Sequence, residues 1–248
     1  MPGTSKQTTG RKYDKDYISL LPDCLITHIF SFLPTRDVVK ACVLSKSWRS
    51  VWTTISDLRF SVSSYDDDSF VDRVLTLYEW AKVKKFHLDI RAELIYPFQI
   101  DSWVRFANDH QVEELHLNHY IGHFSSSERI SWSSLKSLSL QDVSLSDDVL
   151  QKILLGSPVL EYLNLKRCYG VKGIHSTSLK ELVIVDNNGL RILTPQLLLL
   201  RVTGHSHYEA IRLVEAPPLL EAELDFYGPH ESDFCLLKEM LCKLQNAT

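Results

Sequence analysis

The sequence predicts an α/β fold, with a small three-helix module at the amino end and an irregular solenoid whose short strands form one parallel concave sheet. Two patterns carry this prediction: a wide apolar surface on the first predicted helix, and an apolar-x-x-apolar-x-apolar frame that recurs through the rest of the chain. The chain has 248 residues, of which 44% are hydrophobic. That is long enough for such a module and a solenoid with a large buried core.

The first predicted helix carries apolar residues over an arc about 180° wide, broader than a surface helix needs. Prolines mark both ends, with Pro22 in the first turn and Pro34 at the close. The arc consists of Leu21, Leu25, Ile26, Ile29, Phe30, Phe32 and Leu33.

Two further helices are expected to follow, one capped by Thr35 and one capped by Ser45. A module of about 40 residues buries too little surface to cover the whole arc. We therefore expect the uncovered part to be an interface with another protein. The alternative is that the arc is the core of an all-α region. A DNA-binding helix-turn-helix would need more basic residues on the third helix than Lys46 and Arg49.

The same module contains Leu-Pro-Asp-Cys-Leu at 21–25, Ser-Phe-Leu-Pro at 31–34 and Leu-Ser-Lys-Ser-Trp-Arg-Ser-Val-Trp at 44–52. These segments resemble the F-box. The resemblance implies docking onto the Skp-type adaptor of an SCF-type (Skp-cullin-F-box) ubiquitin ligase, and through it onto cullin and a RING protein. The positions that it implies as adaptor-binding are Leu21, Pro22, Leu25, Ile29, Leu33, Pro34 and Leu44.

The recurring apolar frame predicts the strands of the solenoid. Its copies start roughly 18 to 29 residues apart, near the spacing of leucine-rich repeats but less regular. Each strand is expected to send its leucines into a core that neighbouring repeats complete. The segments 153–165 and 215–224 also resemble the plant F-box/leucine-rich-repeat proteins, including the subgroup with a C-terminal FBD segment. The copies start at Val83, Val112, Leu135, Leu160, Leu179, Leu197 and Leu219.

These patterns divide the chain into a disordered tail at 1–16, an F-box at 17–60, a linker with the first solenoid helix at 61–82, repeats at 83–230 and a C-terminal helix at 231–248. Asp66, Asp67 and Asp68 are expected in a solvated loop of the linker. Return helices are predicted at 70–81, 100–107 and 147–155, the last capped by Ser146, and the outer face should change character near Gly170.

The helix at 231–248 is predicted to close the last repeat, because solenoid ends need a cap with a polar outer face. The alternative is a partner-binding helix. Its apolar stripe consists of Phe234, Leu237, Leu241 and Leu244.

Alternation along each repeat strand predicts which side chains look out from the concave face. A mixed polar row of this kind suits binding of a protein substrate, although strand surfaces that face water are polar in any case. Val183 and the flanking Val185 are the unusual apolar members, and we expect a target to bury them. The row consists of His87, His116, Ser139, Asn164, Val183, Arg201 and Glu223.

Composition excludes several other classes. The five cysteines are odd in number and contain no CxxC pair, which indicates reduced thiols rather than a disulfide framework. Residues 1–16 lack the apolar region of a signal peptide, so we expect an intracellular protein of the nucleus, the cytoplasm or both. A net charge of −4 argues against a nucleic-acid groove, and no stretch is apolar enough for a membrane span. His116, His119 and His123 form the best metal-like cluster, yet they lack zinc-site spacing and are interpreted as ordinary surface histidines, with no metal and no cofactor.

The functional prediction is a non-catalytic substrate-recognition subunit of an SCF-type ubiquitin ligase. Two alternatives stay open. One is an adaptor-binding repeat protein without substrate delivery, acting as a competitor or scaffold. The other is a hydrolase or metal enzyme built around the histidines, although no GxSxG, Walker or HExxH motif is found.

Overall fold

The structure is a computed structural model that describes residues 21–45, 48–78, 82–91, 97–119, 131–187, 189–205, 211–215 and 217–227, together with Lys238 and Cys242. The predicted tail, His123 and the apolar stripe of the predicted C-terminal helix lie outside these residues.

Three short helices form the amino-terminal module: α1 (Asp23–Phe30), α2 (Thr35–Ala41) and α3 (Trp48–Val51), followed by a 3-10 turn at Trp52–Thr54. Phe30 and Trp48 meet edge to face in a small core, with ring centroids 5.4 Å apart. The core members are Ile26, Phe30, Val38, Trp48, Val51 and Ile55.

The predicted capping of the second helix by Thr35 is wrong. Thr35 is the first residue of α2, and Pro34 occupies the capping position. The hydroxyl of Thr35 is buried and instead accepts a hydrogen bond from the backbone N–H of Arg59, at 2.8 Å. The described part of the third helix is Trp48–Val51, and residues 46–47, which follow the predicted cap Ser45, lie outside the described residues.

The predicted α/β fold class with a parallel sheet is confirmed. Eight strands form the main sheet in the order β1-β2-β3-β4-β5-β7-β9-β11, and every neighbouring pair is parallel. The strands are β1 (Asp57–Val62), β2 (Lys85–Ile90), β3 (Glu114–His119), β4 (Ser137–Gln141), β5 (Tyr162–Lys166), β6 (Gly173–His175), β7 (Glu181–Val185), β8 (Arg191–Leu193), β9 (Leu199–His205), β10 (Arg212–Leu213) and β11 (Glu221–Tyr227).

All seven predicted repeats contribute a strand to the main sheet, but the sheet begins one strand before them. β1 lies in residues that the sequence patterns assigned to the F-box and the linker. In β1 the buried residues Leu58, Phe60 and Val62 alternate with polar residues. This period of two is the sequence signal for the strand, which lacks the leucine frame of the repeats.

Three helices pack on one face of the sheet: α4 (Tyr65–Leu77), α5 (Pro97–Asp109) and α6 (Asp147–Gly156). The expected loop at Asp66–Asp68 is wrong, because these residues form the first turn of α4. The predicted cap of α6 is confirmed, since the Ser146 hydroxyl accepts a hydrogen bond from the backbone N–H of Val149 at 3.4 Å. We call the sheet surface opposite these helices the open face.

The outer layer changes after Gly170, as predicted. β6, β8 and β10 form a separate three-stranded parallel sheet that shares the core of the main sheet. Gly170 has a φ of 86°, and a Cβ there would lie 2.6 Å from the carbonyl oxygen of Leu145. Only glycine accommodates this combination of backbone angle and close approach.

Candidate functional site

The apolar arc of α1 is divided between the module's own core and its surface. Ile26 and Phe30 are buried against α3 and its neighbours. Leu25 and Ile29 are 48% and 47% exposed, and Phe32, in the turn that ends the helix, is 67% exposed. Three adjacent apolar side chains on one short element therefore face solvent. Burying a side chain of this size is worth about 1.5–3 kcal/mol, so the uncovered flank favours a partner.

The residues that the F-box resemblance implied are all at least partly accessible. Pro22, Pro34 and Leu44 are exposed, while Leu21 and Leu33 are half-buried against the small core. We call the exposed apolar group formed by Leu25, Ile29, Phe32, Val43 and Leu44 the α1 surface. Phe32 and Val43 were not among the implied adaptor-binding positions, although Phe32 lies on the predicted arc.

The module is joined to the first repeat by a buried carboxylate. Asp67 in α4 accepts hydrogen bonds from the backbone N–H and the hydroxyl of both Ser63 and Ser64 at 2.9–3.0 Å, and it pairs with Arg36 of α2. The Arg36 guanidinium also lies 4.6 Å from the ring centroid of Phe70. Burial by itself would raise the pKa of Asp67, but the serine hydrogen bonds and the positive charge of Arg36 outweigh it and hold that pKa below its ordinary value.

Aromatic contacts reinforce this junction. The Tyr78 hydroxyl donates a hydrogen bond to the carbonyl oxygen of Trp52, and the two rings meet at 5.5 Å between centroids. Trp52 packs against both the small core of the module and the large core of the sheet. The α1 surface and the open face therefore belong to one packed unit.

The seven predicted open-face residues form a single row across the sheet. Strand register places each of them directly opposite the next, in the order His87, His116, Ser139, Asn164, Val183, Arg201 and Glu223. Arg59 of β1 extends the row by one position. The sequence reasoning missed Arg59 because it missed β1.

Two neutral histidines lie at the end of this row nearest β1, on strands β2 and β3. The rings of His87 and His116 are 5.6 Å apart between centroids, and burial lowers the pKa of each below its ordinary value. Asp57 opposes this effect at His87, with its Oδ1 at 3.9 Å from Nε2, but it is also paired with Arg59 at 2.8 Å. At neutral pH this end of the row presents imidazoles rather than imidazolium ions.

The rest of the row is only partly satisfied by its own neighbours. The Asn164 amide nitrogen donates to the Ser139 hydroxyl at 3.2 Å, and Arg201 pairs with Glu223. The Oδ1 of Asn164 is buried and has no hydrogen-bond partner among the described residues. The expectation that a target buries Val183 is wrong, since this side chain is already only 7% exposed within the chain. Orientation of a partner by hydrogen bonds is what such a row can supply.

Neither metal binding nor membrane spanning finds support in the described part of the chain. No group of three or more His, Cys, Asp or Glu side chains there is arranged to hold a metal ion. His116 and His119 lie in β3, and His123 is outside the described residues. Among the described helices, none is both long and apolar enough to cross a bilayer.

Comparisons with known proteins agree with this architecture. The family model described as the F-box domain matches residues 18–60. The model described as "FBD-associated F-box protein At5g56370, LRR repeats" matches residues 121–224.

Several Arabidopsis thaliana proteins are similar over most of the chain. The F-box/LRR-repeat protein 25 is 32% identical, covering 81% of this chain and 87% of that protein. The F-box protein At5g03100 is 29% identical, covering 93% of this chain and 86% of that protein. The putative F-box/LRR-repeat protein At5g02930 is 31% identical over 85% of this chain.

The length of these relatives varies. The chain spans 52% of At5g02930 and 61% of At3g18150, so it matches little more than half of the longer relatives. No solved structure matches the chain. The α1 surface, the parallel repeat sheet and the similarity along the chain together show that this protein belongs to the F-box/leucine-rich-repeat family.

Proposed function

We propose that this chain is the substrate-recognition subunit of an SCF-type ubiquitin ligase. The α1 surface binds the Skp-type adaptor, which connects the chain to cullin and a RING protein, and the open face binds a protein substrate. The observation that carries the proposal is the division of α1, in which Ile26 and Phe30 complete the module's core while Leu25 and Ile29 remain exposed. Because Ile26 and Phe30 already complete the core, the module does not need Leu25 and Ile29 for folding.

The contribution of the chain is proximity rather than chemistry. Holding a target near the ubiquitin carrier turns a bimolecular transfer into an effectively intramolecular one. The Arg36–Asp67 pair and the Trp52–Tyr78 contact tie the α1 surface to the sheet, which keeps the two binding surfaces at a defined separation. No residue of this chain needs to touch the reacting atoms.

Adaptor binding is tested by placing charge on the α1 surface. Leu25→Asp combined with Ile29→Asp should weaken binding to a purified Skp-type adaptor by at least about a hundredfold, because two apolar contacts are replaced by buried carboxylates. Isothermal titration calorimetry measures the affinity. Leu155→Asp is the control, since Leu155 is another exposed apolar residue and lies on α6, away from the α1 surface. Unchanged affinity in a folded double variant would refute the assignment.

Substrate recognition is tested separately on the open face. Ser139→Lys combined with Asn164→Lys should abolish ubiquitin transfer to proteins that the wild-type chain retains, while adaptor binding stays intact. The readout is ubiquitination in a ligase reconstituted from the chain, adaptor, cullin and RING protein. Lys152→Glu on α6 is a charge control away from the row. An adaptor-bound chain that never supports transfer to a retained protein would instead be a competitor or scaffold.

A further inference from the structure

Among the residues that the structure describes, the last strand of the main sheet has no partner on one side. β11 ends the strand order and pairs with β9 on one flank. Its core-facing residues, Ala222, Leu224 and Phe226, are not covered as their counterparts in earlier strands are: Ala222 is exposed and the other two are half-buried. Leu220, just before the strand, is 84% exposed. This flank presents apolar side chains that one more strand would cover.

The backbone of β11 is also available for pairing. The N–H of Glu221 bonds to the carbonyl oxygen of Leu198 at 3.2 Å, so the backbone groups of Glu221 and of alternate residues after it point toward β9. Those of Ala222, Leu224 and Phe226 consequently point away from it. Among the described residues these outward groups have no hydrogen-bond partner. An edge of this kind is a template for strand addition.

Charge determines which strand fits this edge. The open-face residues of β11 are Glu221, Glu223 and Asp225, all exposed. Glu223 is paired with Arg201 of β9, whereas Asp225 contacts Tyr227, whose pKa the negative charge of Asp225 raises above its ordinary value. The unpaired flank is therefore acidic on the open face and apolar on the core face.

A second copy of the chain does not fit this edge. Two β11 strands placed side by side with their apolar faces on one core would bring their acidic rows together, and like charges opposite one another destabilise a strand pair. A strand in which basic residues alternate with apolar ones would place its positive charges beside the acidic residues of β11 and its apolar side chains on the core face.

We propose that β11 binds an extended segment of a partner protein in which basic residues alternate with apolar ones, added to the sheet as its next strand. The apolar residues cover Ala222, Leu224 and Phe226, and the basic residues face Glu221 and Asp225. This surface is separate from the α1 surface and adjoins the open-face row at Glu223. The proposal concerns the strand edge itself, so it does not depend on the proposed ligase function.

The test uses the full chain and a synthetic nine-residue peptide that alternates lysine with leucine or valine. Fluorescence anisotropy should show saturable binding that weakens with salt. A peptide with glutamate in place of lysine should bind about tenfold more weakly or not at all. A third peptide of the same composition as the first, with its lysines grouped at one end, should also lose binding, because it lacks the alternation that a strand requires.

Two substitutions locate the binding edge. Ala222→Pro removes an N–H that points away from β9, leaves the pairing with β9 intact and should reduce peptide binding about tenfold. Ala222→Val is the matched control that keeps the N–H and should retain binding. Glu221→Lys combined with Asp225→Lys should invert the preference, so that the glutamate peptide binds better than the lysine peptide.

Three outcomes would overturn the proposal. The first is absence of binding, or equal binding of all three peptides. The second is concentration-dependent dimerisation in analytical ultracentrifugation that Ala222→Pro abolishes, which would assign the edge to a second copy. The third is binding that occurs only after residues 231–248 are removed, which would assign the edge to the chain's own C-terminal segment. Adaptor affinity is measured in parallel, so failure here is distinguishable from failure of the proposed function.

Discussion

The two edges of the main sheet differ sharply although they share one register. At β1 the core-facing residues Leu58 and Phe60 are buried, and α2 lies against the strand. At β11 their register counterparts, Ala222 and Leu224, are exposed and half-buried. The difference shows that the described repeat residues do not by themselves cover the β11 end of the sheet. The F-box module closes the first edge, and it does so with polar contacts as well as apolar ones.

The closed edge uses side chains that the leucine frame does not contain. Thr35 accepts the outward N–H of Arg59, which is the group that would otherwise pair with another strand. Asp67 and Arg36 hold α4 against α2 beside this contact. A module that caps the sheet and also carries the α1 surface places that surface at a constant position relative to the first repeat.

The largest expected difference between the edges is in core stability. Phe60→Ala should lower the free energy of unfolding by about 3–5 kcal/mol, as for other buried phenylalanines. Leu224→Ala, at the matching register position of β11, should lower it by less than about 1.5 kcal/mol because that side chain is only half-buried. Urea denaturation of both variants measures the two losses. Similar losses would show that the β11 edge is closed in solution.

A smaller effect is expected at the carboxylate that joins the module to the sheet. Asp67→Asn should lower the free energy of unfolding by about 2 kcal/mol, because it weakens several hydrogen bonds to a charged acceptor. The folded-state pKa of Asp67 is depressed, so its contribution is present above the unfolded pKa and is lost as pH falls through the folded value. Asp225→Asn at the open edge is the control. Equal stability of the Asp67→Asn variant and the wild type at pH 7 would show that the charge of Asp67 does not stabilise the junction.

The smallest effect is expected from the histidine pair near the closed edge. Burial lowers the pKa of His87 and His116, so the folded state binds fewer protons than the unfolded state. The free energy of unfolding should therefore fall as pH drops from about 6.5 through the lower folded-state values. His87→Asn combined with His116→Asn should flatten this part of the profile, as measured by thermal unfolding from pH 7 to pH 5. An identical profile in the double variant would show that both imidazoles are solvated.

The repeats were predictable because each carries its own local signal. A frame such as Leu135, Leu138 and Leu140 indicates a strand whose leucines point inward, and all three are buried. The cap of α6 was predictable for the same reason, since Ser146 directly precedes the apolar run of that helix. The apolar arc of α1 could also be found from periodicity.

Other features depend on residues far apart in the chain. Asp66–Asp68 was expected to be solvated because three consecutive acids favour water, yet Asp67 is buried by Arg36 and two serines. Thr35 was expected to cap a helix and instead bonds to β1. Val183 was expected to face a partner and is instead buried by the chain itself.

Periodicity along the chain was enough to establish the α/β class, the seven repeat strands and the apolar arc, because spacing places side chains on one face of a helix or strand whatever lies opposite. The addition of β1 to the sheet, the burial of Asp67 and the contrast between the two sheet edges followed only from the folded arrangement. Each of these depends on which distant group supplies the missing hydrogen bond or covers the apolar surface, and local spacing carries no information about that group.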